Sequence, residues 1–414
     1  MEGKTLQFII EHDGEDVTRF LLSPGKFPDV DIPLAARCIE ARRKIKSKIP
    51  AFWNEPSLLY PNTLALEQCS SQASAEYKGS LIPEGATVAD LTGGLGVDSF
   101  FLSRRASVLH YYERKPHLAE ATAANFATLG AKNIHCHTTE LSLSDISSPD
   151  FPKVDIIFID PARRDKSGGR VYSVADCEPN LIEWRAPLLT KANVILAKIS
   201  PMADISQVLR ELPGVSEVHI ISVDHECKEL LLRFTAEEVI EPRIITVNIT
   251  KDGVQHFEFT GAEESGAEAD YIEPSSIDKY IHQGCFLYEP NKSISKGGAF
   301  KLASQRFGIR KVSPATHLYF SEGLKSDFPG KCFRVIEGAP FNKRILGEWK
   351  KKYPRASVTA KNFPISSEEL AKRLCVKEDD RLHIFGFTAI GGEKYLFCTE
   401  RVQWVANPTI FLGI

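Results

Sequence analysis

The chain has 414 residues, too long for one ordinary domain of roughly 100–200 residues, so two to four domains are expected. Hydrophobic residues make up 43% and charged residues 25%, a globular composition that excludes a disordered, collagen-like or coiled-coil protein. The net charge of −3 is unevenly spread: residues 331–414 carry +6 and residues 1–330 carry −9, and a basic module on an acidic body points toward a polyanionic partner.

The apolar runs fall far short of the ~18 residues that span a bilayer, so no membrane segment is expected. Acidic residues (Glu2, Glu11, Asp13, Glu15, Asp16) stand where a signal peptide needs a basic start. The nine Cys contain no C-x-x-C pair and read as reduced thiols, which places the chain in the cytoplasm and assigns no structural zinc. Two shorter basic stretches interrupt the acidic body. One runs from Arg37 through Arg42, Arg43, Lys44 and Lys46 to Lys48, the other from Lys292 to Lys311. Each is either a polyanion contact or a solvated helix face.

In chain order, residues 1–80 read as a helical lead, with helix-like patterning at Pro33–Ile49 and Ser57–Tyr77. From Thr87 short apolar runs alternate with helical segments. Strands are expected at Thr87–Leu91, Val108–Glu113, Asn133–His137, Val154–Asp160, Val194–Ile199, Glu217–Val223 and Glu229–Phe234. Helices are expected at Asp98–Arg105, Pro116–Leu129, Pro179–Leu189 and Ile205–Leu212. That alternation means a parallel sheet covered on both faces, with an antiparallel pair at its end. Residues 81–238 form this domain. Residues 239–333 form a smaller α+β domain that opens with a hairpin around Asp252-Gly253, and its topology stays open. Residues 334–414 read as a compact β-α-β-α-β-β unit.

The strongest local signal is Asp90-Leu-Thr-Gly-Gly-Leu-Gly-Val-Asp98, between the first strand and the first helix. A glycine-rich turn there lets backbone approach a ligand, and the helix start offers unpaired N–H groups. The dinucleotide fingerprint G-x-G-x-x-G lacks its third glycine. An acid just before the turn disfavours a pyrophosphate and suits a ligand with a cationic amine. Glu113 ends the second strand, 17 residues after Gly96, where a carboxylate accepts hydrogen bonds from two ribose hydroxyls.

These residues resemble the class I S-adenosylmethionine (SAM)-dependent methyltransferases, over about residues 85–235. Asp90-Leu-Thr-Gly-Gly-Leu-Gly96 looks like their first motif, with Thr92 in place of a glycine. Tyr112-Glu-Arg-Lys-Pro116 looks like the second, and Asn125 resembles an asparagine in the helix that follows. The resemblance implies a Rossmann-like seven-stranded methyltransferase sheet, with a helical N-terminal lead and smaller α+β C-terminal domains. It implies SAM as cofactor, held by Asp90, Thr92, Gly94, Gly96, Glu113 and Glu140; Glu140 stands where an acid faces the adenine amine.

The fourth strand ends in Ile159-Asp-Pro-Ala-Arg-Arg-Asp165, at the place where RNA and DNA amino-methyltransferases hold Asn/Asp-Pro-Pro and an aromatic residue. A conjugated amine is a weak nucleophile, and a carboxylate and a carbonyl that accept its N–H protons free its lone pair. Asp160 and the Pro161 carbonyl fit those roles. Ala162 and Arg163 depart from the pattern and bring it near that of RNA 5-methyluridine methyltransferases. Those use a cysteine after the fifth strand, and Ile199-Ser-Pro-Met-Ala-Asp204 has none. N-methylation is therefore preferred. Arg163 and Arg164 either hold a substrate phosphate or base, or form surface ion pairs. Tyr77-Lys78, by position, are candidates to close over the cofactor.

The C-terminal unit, about residues 335–410, resembles the THUMP-like domain attached to some bacterial methyltransferases. The resemblance implies that Lys343, Arg344 and Lys361 contact substrate, structured RNA such as tRNA or rRNA, with Trp349 and Tyr353 available for stacking; a solvated basic face is the competing reading. His135 and His137 share a strand face without a third ligand, so no metal is assigned. The function expected is methylation of an exocyclic base nitrogen of RNA. An RNA-binding adaptor on a retained SAM fold, or a protein or small-molecule methyltransferase, stands as the alternative.

Overall fold

The structure is a computed structural model that describes residues 3–61, 63–163, 174–237, 239–281 and 284–402. Its chain divides into two compact units, Met1–Val218 with Lys228–Ile240 and His219–Cys227 with Glu241–Gly413.

The first unit begins with helices, among them α1 (Gly3–Glu11), α2 (Ile32–Ile45) and α3 (Gln72–Ser80). Asp31 caps α2 by accepting the Leu34 N–H at 3.0 Å, and Ser71 caps α3 in the same manner through Ser74. The stretch Ser57–Tyr77 is not one helix. Pro61 lacks a donor and turns Tyr60 away from helical dihedrals, so residues 57–61 run irregularly before short helical pieces resume.

Next come β1 (Thr87–Asp90), α4 (Val97–Ser103), β2 (Val108–Glu113), α5 (Pro116–Thr128), β3 (Ile134–Thr138) and β4 (Val154–Ile159). They are followed by α6 (Leu181–Leu189), β5 (Ala192–Ile199), α7 (Ile205–Glu211), β6 (Val215–Val223) and β7 (Glu226–Thr235). The hydrogen-bonded order is β3-β2-β1-β4-β5-β7-β6, parallel from β3 to β5, with β7 antiparallel to β5. β1 and β4 each bury all but one side chain, and β5 most of its own, because helices cover both faces. This is the parallel sheet the alternating pattern predicts, in the Rossmann-like order the resemblance implies. Its strand order reverses direction between β1 and β4, and ligands of such sheets bind at the strand ends beside that reversal.

In the second unit, β8 (Arg243–Thr250) and β9 (Gly253–Thr260) form the expected hairpin. Then come β10 (Phe286–Pro290), α8 (Phe300–Phe307), β11 (Arg310–Ser313), β12 (Thr316–Ser321) and β13 (Gly330–Pro340). The chain continues through α9 (Lys343–Lys352), β14 (Ser357–Lys361), α10 (Ser367–Leu374), β15 (Leu382–Thr388) and β16 (Lys394–Val402). A seven-stranded sheet runs β11-β12-β10-β13-β16-β15-β14, with β14 and β15 its parallel pair.

The basic stretches are largely consumed by local bonding. Arg42 is buried and donates to the Trp53 carbonyl and Asp13, while Lys44 and Lys48 bind Glu67 and nearby carbonyls. In the second stretch Arg306 pairs with Glu263 and Arg310 with Asp270, and Lys311 is buried on the Ser313 and Pro314 carbonyls. Trp349 on α9 and Tyr353 just after its last turn are core residues, which corrects their expected place as stacking platforms. The 3.6-residue period turns both inward, packed edge-on at 5.3 Å, and leaves Lys343, Arg344, Lys350 and Lys351 outside.

Candidate active site

The glycine loop after β1 is tied to both neighbouring strands. The Leu91 N–H donates to the Phe158 carbonyl of β4 at 3.0 Å, and the Gly93 N–H to the Tyr112 carbonyl of β2 at 2.9 Å. Gly96 has φ +75°, and a Cβ there would lie 2.5 Å from the Phe126 ring of α5, so only glycine closes the loop onto that helix. Gly93, which sequence reasoning passed over, lies against the Tyr111 ring; a Cβ would sit 2.0 Å from it. Gly94 differs. At φ +55° a Cβ would meet only the Thr92 carbonyl, at 3.8 Å, so the space over Gly94 is open for a ligand.

The acids around this loop shape it. Asp90 is buried and accepts the Thr92 N–H at 3.0 Å and the Ser99 hydroxyl at 2.5 Å. Burial pushes its carboxyl up to about 7, against the pull of those two bonds. Glu113 accepts the Gly94 N–H at 2.9 Å on one oxygen and the Lys115 N–H at 2.8 Å on the other. Each oxygen keeps a second acceptor position for a ligand hydroxyl. Glu140 lies two residues beyond β3, exposed, and pairs with Arg114 at 3.2 Å. Asn125 clamps the N-terminal segment: it accepts the Leu59 N–H at 2.7 Å and donates to the Leu59 carbonyl at 2.9 Å.

Asp160 follows β4, next to β1, and its N–H donates to the Thr92 hydroxyl at 2.6 Å. A glycine at position 92 would lose this tie, which joins the glycine loop to Asp160-Pro161. The Asp160 side chain is 37% exposed and lies 2.6 Å from Lys198 of β5. Burial raises its pKa and Lys198 opposes that. Burial works against the Lys198 ammonium, but Asp160, Asp98 and Glu229 outweigh it and hold its pKa above the ordinary lysine value. Sequence reasoning missed Lys198; a lysine near the end of an otherwise apolar strand was the available signal. Pro161 is buried. Of Arg163 only the backbone is described, in a two-residue ladder with Cys177, and Arg164 lies outside the described residues.

Behind Asp160 lies a polar network. Lys78 of α3 is fully buried, 2.9 Å from Asp98 of α4, bound to Glu229 of β7, and donates to Ser70 at 2.9 Å. Burial would raise the Asp98 pKa, yet Lys78 and Lys198 hold it below the usual carboxylate value. Lys78 is therefore a buried counter-ion, which corrects its expected place over a cofactor. In the second unit Lys343 and Arg344 are exposed, Arg344 pairing with Glu348, and Lys361 binds Glu289 at 2.6 Å. The histidines of β3 meet other aromatic groups: His137 lies 3.2 Å from His110 and stacks on Tyr112. Among the described residues no cluster of three metal-ligating side chains occurs, and no helix is long and apolar enough to cross a membrane.

A family profile described as ferredoxin-like matches residues 286–329, and one described as THUMP domain-like matches residues 330–409. Among curated proteins none matches the chain. Among solved structures, a candidate methyltransferase from Porphyromonas gingivalis W83 is 34% identical over 96% of this chain and 98% of its own, with a TM-score of 0.84. An rRNA methylase from Streptococcus thermophilus is 15% identical over 39% of this chain and 93% of its own, with a TM-score of 0.27. A candidate methyltransferase from Streptococcus mutans, in complex with SAH, is 12% identical over the same shares, with a TM-score of 0.28. The chain belongs to the family of the Porphyromonas gingivalis protein and is a methyltransferase that carries a THUMP-like domain over residues 330–409.

Proposed function

We propose that this methyltransferase uses SAM to methylate an exocyclic base nitrogen of RNA. The observation that carries the reading is Asp160-Pro161 at the reversal between β1 and β4, bonded through Thr92 to a glycine loop that is open over Gly94. The cradle fits the cofactor: Gly94 leaves room for close backbone approach, and Glu113 keeps acceptor capacity for ribose hydroxyls. The anionic surplus of Asp90, Asp98, Asp160 and Glu229 over Lys78 and Lys198 suits a ligand bearing a sulfonium and an ammonium.

When bound, SAM supplies an electrophilic methyl group, whose C–S bond breaks toward sulfur as the new N–C bond forms. The work of the chain is to present the acceptor. Lys198 holds Oδ2 of Asp160, which leaves Oδ1 directed to an amine N–H. The Pro161 carbonyl takes the second N–H. Both bonds raise electron density on nitrogen and fix its line of attack. The surplus proton leaves to water after transfer, so no strong base is needed.

The THUMP-like domain and its exposed Lys343 and Arg344 support RNA as the acceptor, tRNA or rRNA, with phosphate contacts away from the reacting base. The cytoplasm is the compartment this reading assigns. Replacing Asp160 with Ala tests the assignment. Turnover on RNA falls at least a thousandfold while SAM affinity, measured by calorimetry, stays within about threefold of wild type. Turnover that survives the change removes Asp160 from the reaction.

A further inference from the structure

The seven-stranded sheet of the second unit carries a charge imbalance on one face. Side chains alternate across a strand, so residues at every second position point the same way. Register pairs Glu289 with Lys331, Phe333 with Arg401, and His383 with Thr399. Lys331 and Phe333 are two apart, as are Thr399 and Arg401, so all of these share one face. Lys361, opposite Phe387 on β14, joins them. Contacts agree with the register. Lys361 binds Glu289 at 2.6 Å, and His383 stacks on Phe385 with ring centroids 4.3 Å apart.

Glu289 is engaged by Lys361, while Lys292, Lys331 and Arg401 reach no carboxylate within 4.0 Å among the described residues. Lys331 is half-buried. Burial lowers its pKa, Glu289 opposes this, and Arg401, Lys292 and Lys361 lower it further. Two imidazoles stand in the same field. Burial pushes both His225 and His383 down to about 4, and Lys331 and Arg401 add to the effect on each. His225 is held at φ 65° in the β6–β7 turn, where its N–H donates to Asn248 at 3.0 Å. Like charges gathered in a partly desolvated place destabilise one another unless an anion joins them.

The geometry points to a phosphate-binding site built by Lys331, Lys361 and Arg401 on this face of the sheet, with His383 beside them as a hydrogen-bond partner. Three cations around one carboxylate leave an excess of two positive charges, which a single carboxylate ligand would not balance. Phosphate oxygens accept several charge-assisted bonds at once, and the Arg401 guanidinium presents the matching fork. The phosphate belongs either to an RNA backbone, which rests on the RNA reading above, or to a small free phosphate compound.

The test titrates the full chain without SAM, in one arm with bulk RNA at several salt concentrations and in the other with inorganic phosphate. K331Q/R401Q is compared with wild type and with K132Q/K153Q, two exposed lysines of the first unit, and thermal melts report folding. K331Q/R401Q is expected to weaken RNA binding at least tenfold and to reduce the slope of log K against log[salt] by about 1.5. K132Q/K153Q is expected to change affinity less than twofold. Glu289→Gln tightens binding, a sign that damage to the fold does not mimic. Phosphate binding lost in K331Q/R401Q with RNA affinity unchanged overturns RNA as the source. Equal losses in both double variants, or no loss in either arm, overturn the site. Because no SAM is present, a protein that binds RNA through this face yet transfers no methyl group counts against the proposed activity alone.

Discussion

Asp90 sits in an environment far from that of an ordinary carboxylate. Buried, and with its carboxyl pushed up to about 7, it is partly protonated near neutrality. A cationic ligand beside it favours the charged form, so SAM binding at pH 7 releases roughly half a proton. Calorimetry in two buffers of different ionisation enthalpy measures this, and Asp90→Asn is expected to abolish it; release unchanged in that variant would place the proton elsewhere. The raised pKa also has a sign for stability. The folded state holds a proton that the unfolded state has already lost, so this group's contribution declines as pH rises from about 4 to 7. Relative to wild type, Asp90→Asn therefore gains stability over that window. Lys198 acts through Asp160. It opposes the rise that burial imposes on a carboxylate which accepts strongly on both oxygens only when ionised. In Lys198→Met the acid limb of kcat against pH moves upward by at least about one unit, equivalent to about 1.4 kcal/mol. A lowered kcat with an unmoved limb would leave Lys198 as packing only.

The glycine loop and the strand that precedes Asp160 connect these residues to the elements that hold them. Gly94→Ala meets no side chain, so its structural cost is about 1–2 kcal/mol for the left-handed backbone. SAM affinity nevertheless falls at least tenfold, because the methyl group fills the approach path; unaltered affinity would mean that the ligand does not pass over Gly94. Much of this was legible in the sequence. The alternation from Thr87 to Phe234 marks seven strands, since strands buried on both faces read as short apolar runs between helices. Asp90, Glu113 and Asp160 all fall at the ends of such runs, where the chain leaves the sheet. Contacts made across the fold were not legible. Nothing local shows that Thr92 reaches the Asp160 N–H, that Lys198 reaches its carboxylate, or that Lys78 has Asp98 and Glu229 as partners. Trp349 and Tyr353 misled because they lie among lysines in sequence while the helical period separates them in space.

At the scale of the whole molecule, the helical lead belongs to the methyltransferase unit. Lys78 joins α3 to α4 and β7 without solvent, and Asn125 pins Leu59 to α5. Removing one partner of a buried ion network leaves charges uncompensated, so Lys78→Met costs about 3–5 kcal/mol in urea unfolding. Adding Glu229→Leu recovers a large part of that loss. A single-variant cost below about 0.5 kcal/mol, typical of a surface substitution, would mean that the network does not hold the lead in place. The central claim concerns what the assembled chain does to its acceptor. Methyl-labelled SAM is incubated with the protein and bulk RNA from a strain that lacks its gene, and the RNA is digested to nucleosides. The account predicts label on one nucleoside, at an exocyclic nitrogen, with none in the Asp160→Ala control. Label on protein or a small molecule, on a ring carbon, or equally in the control would contradict it.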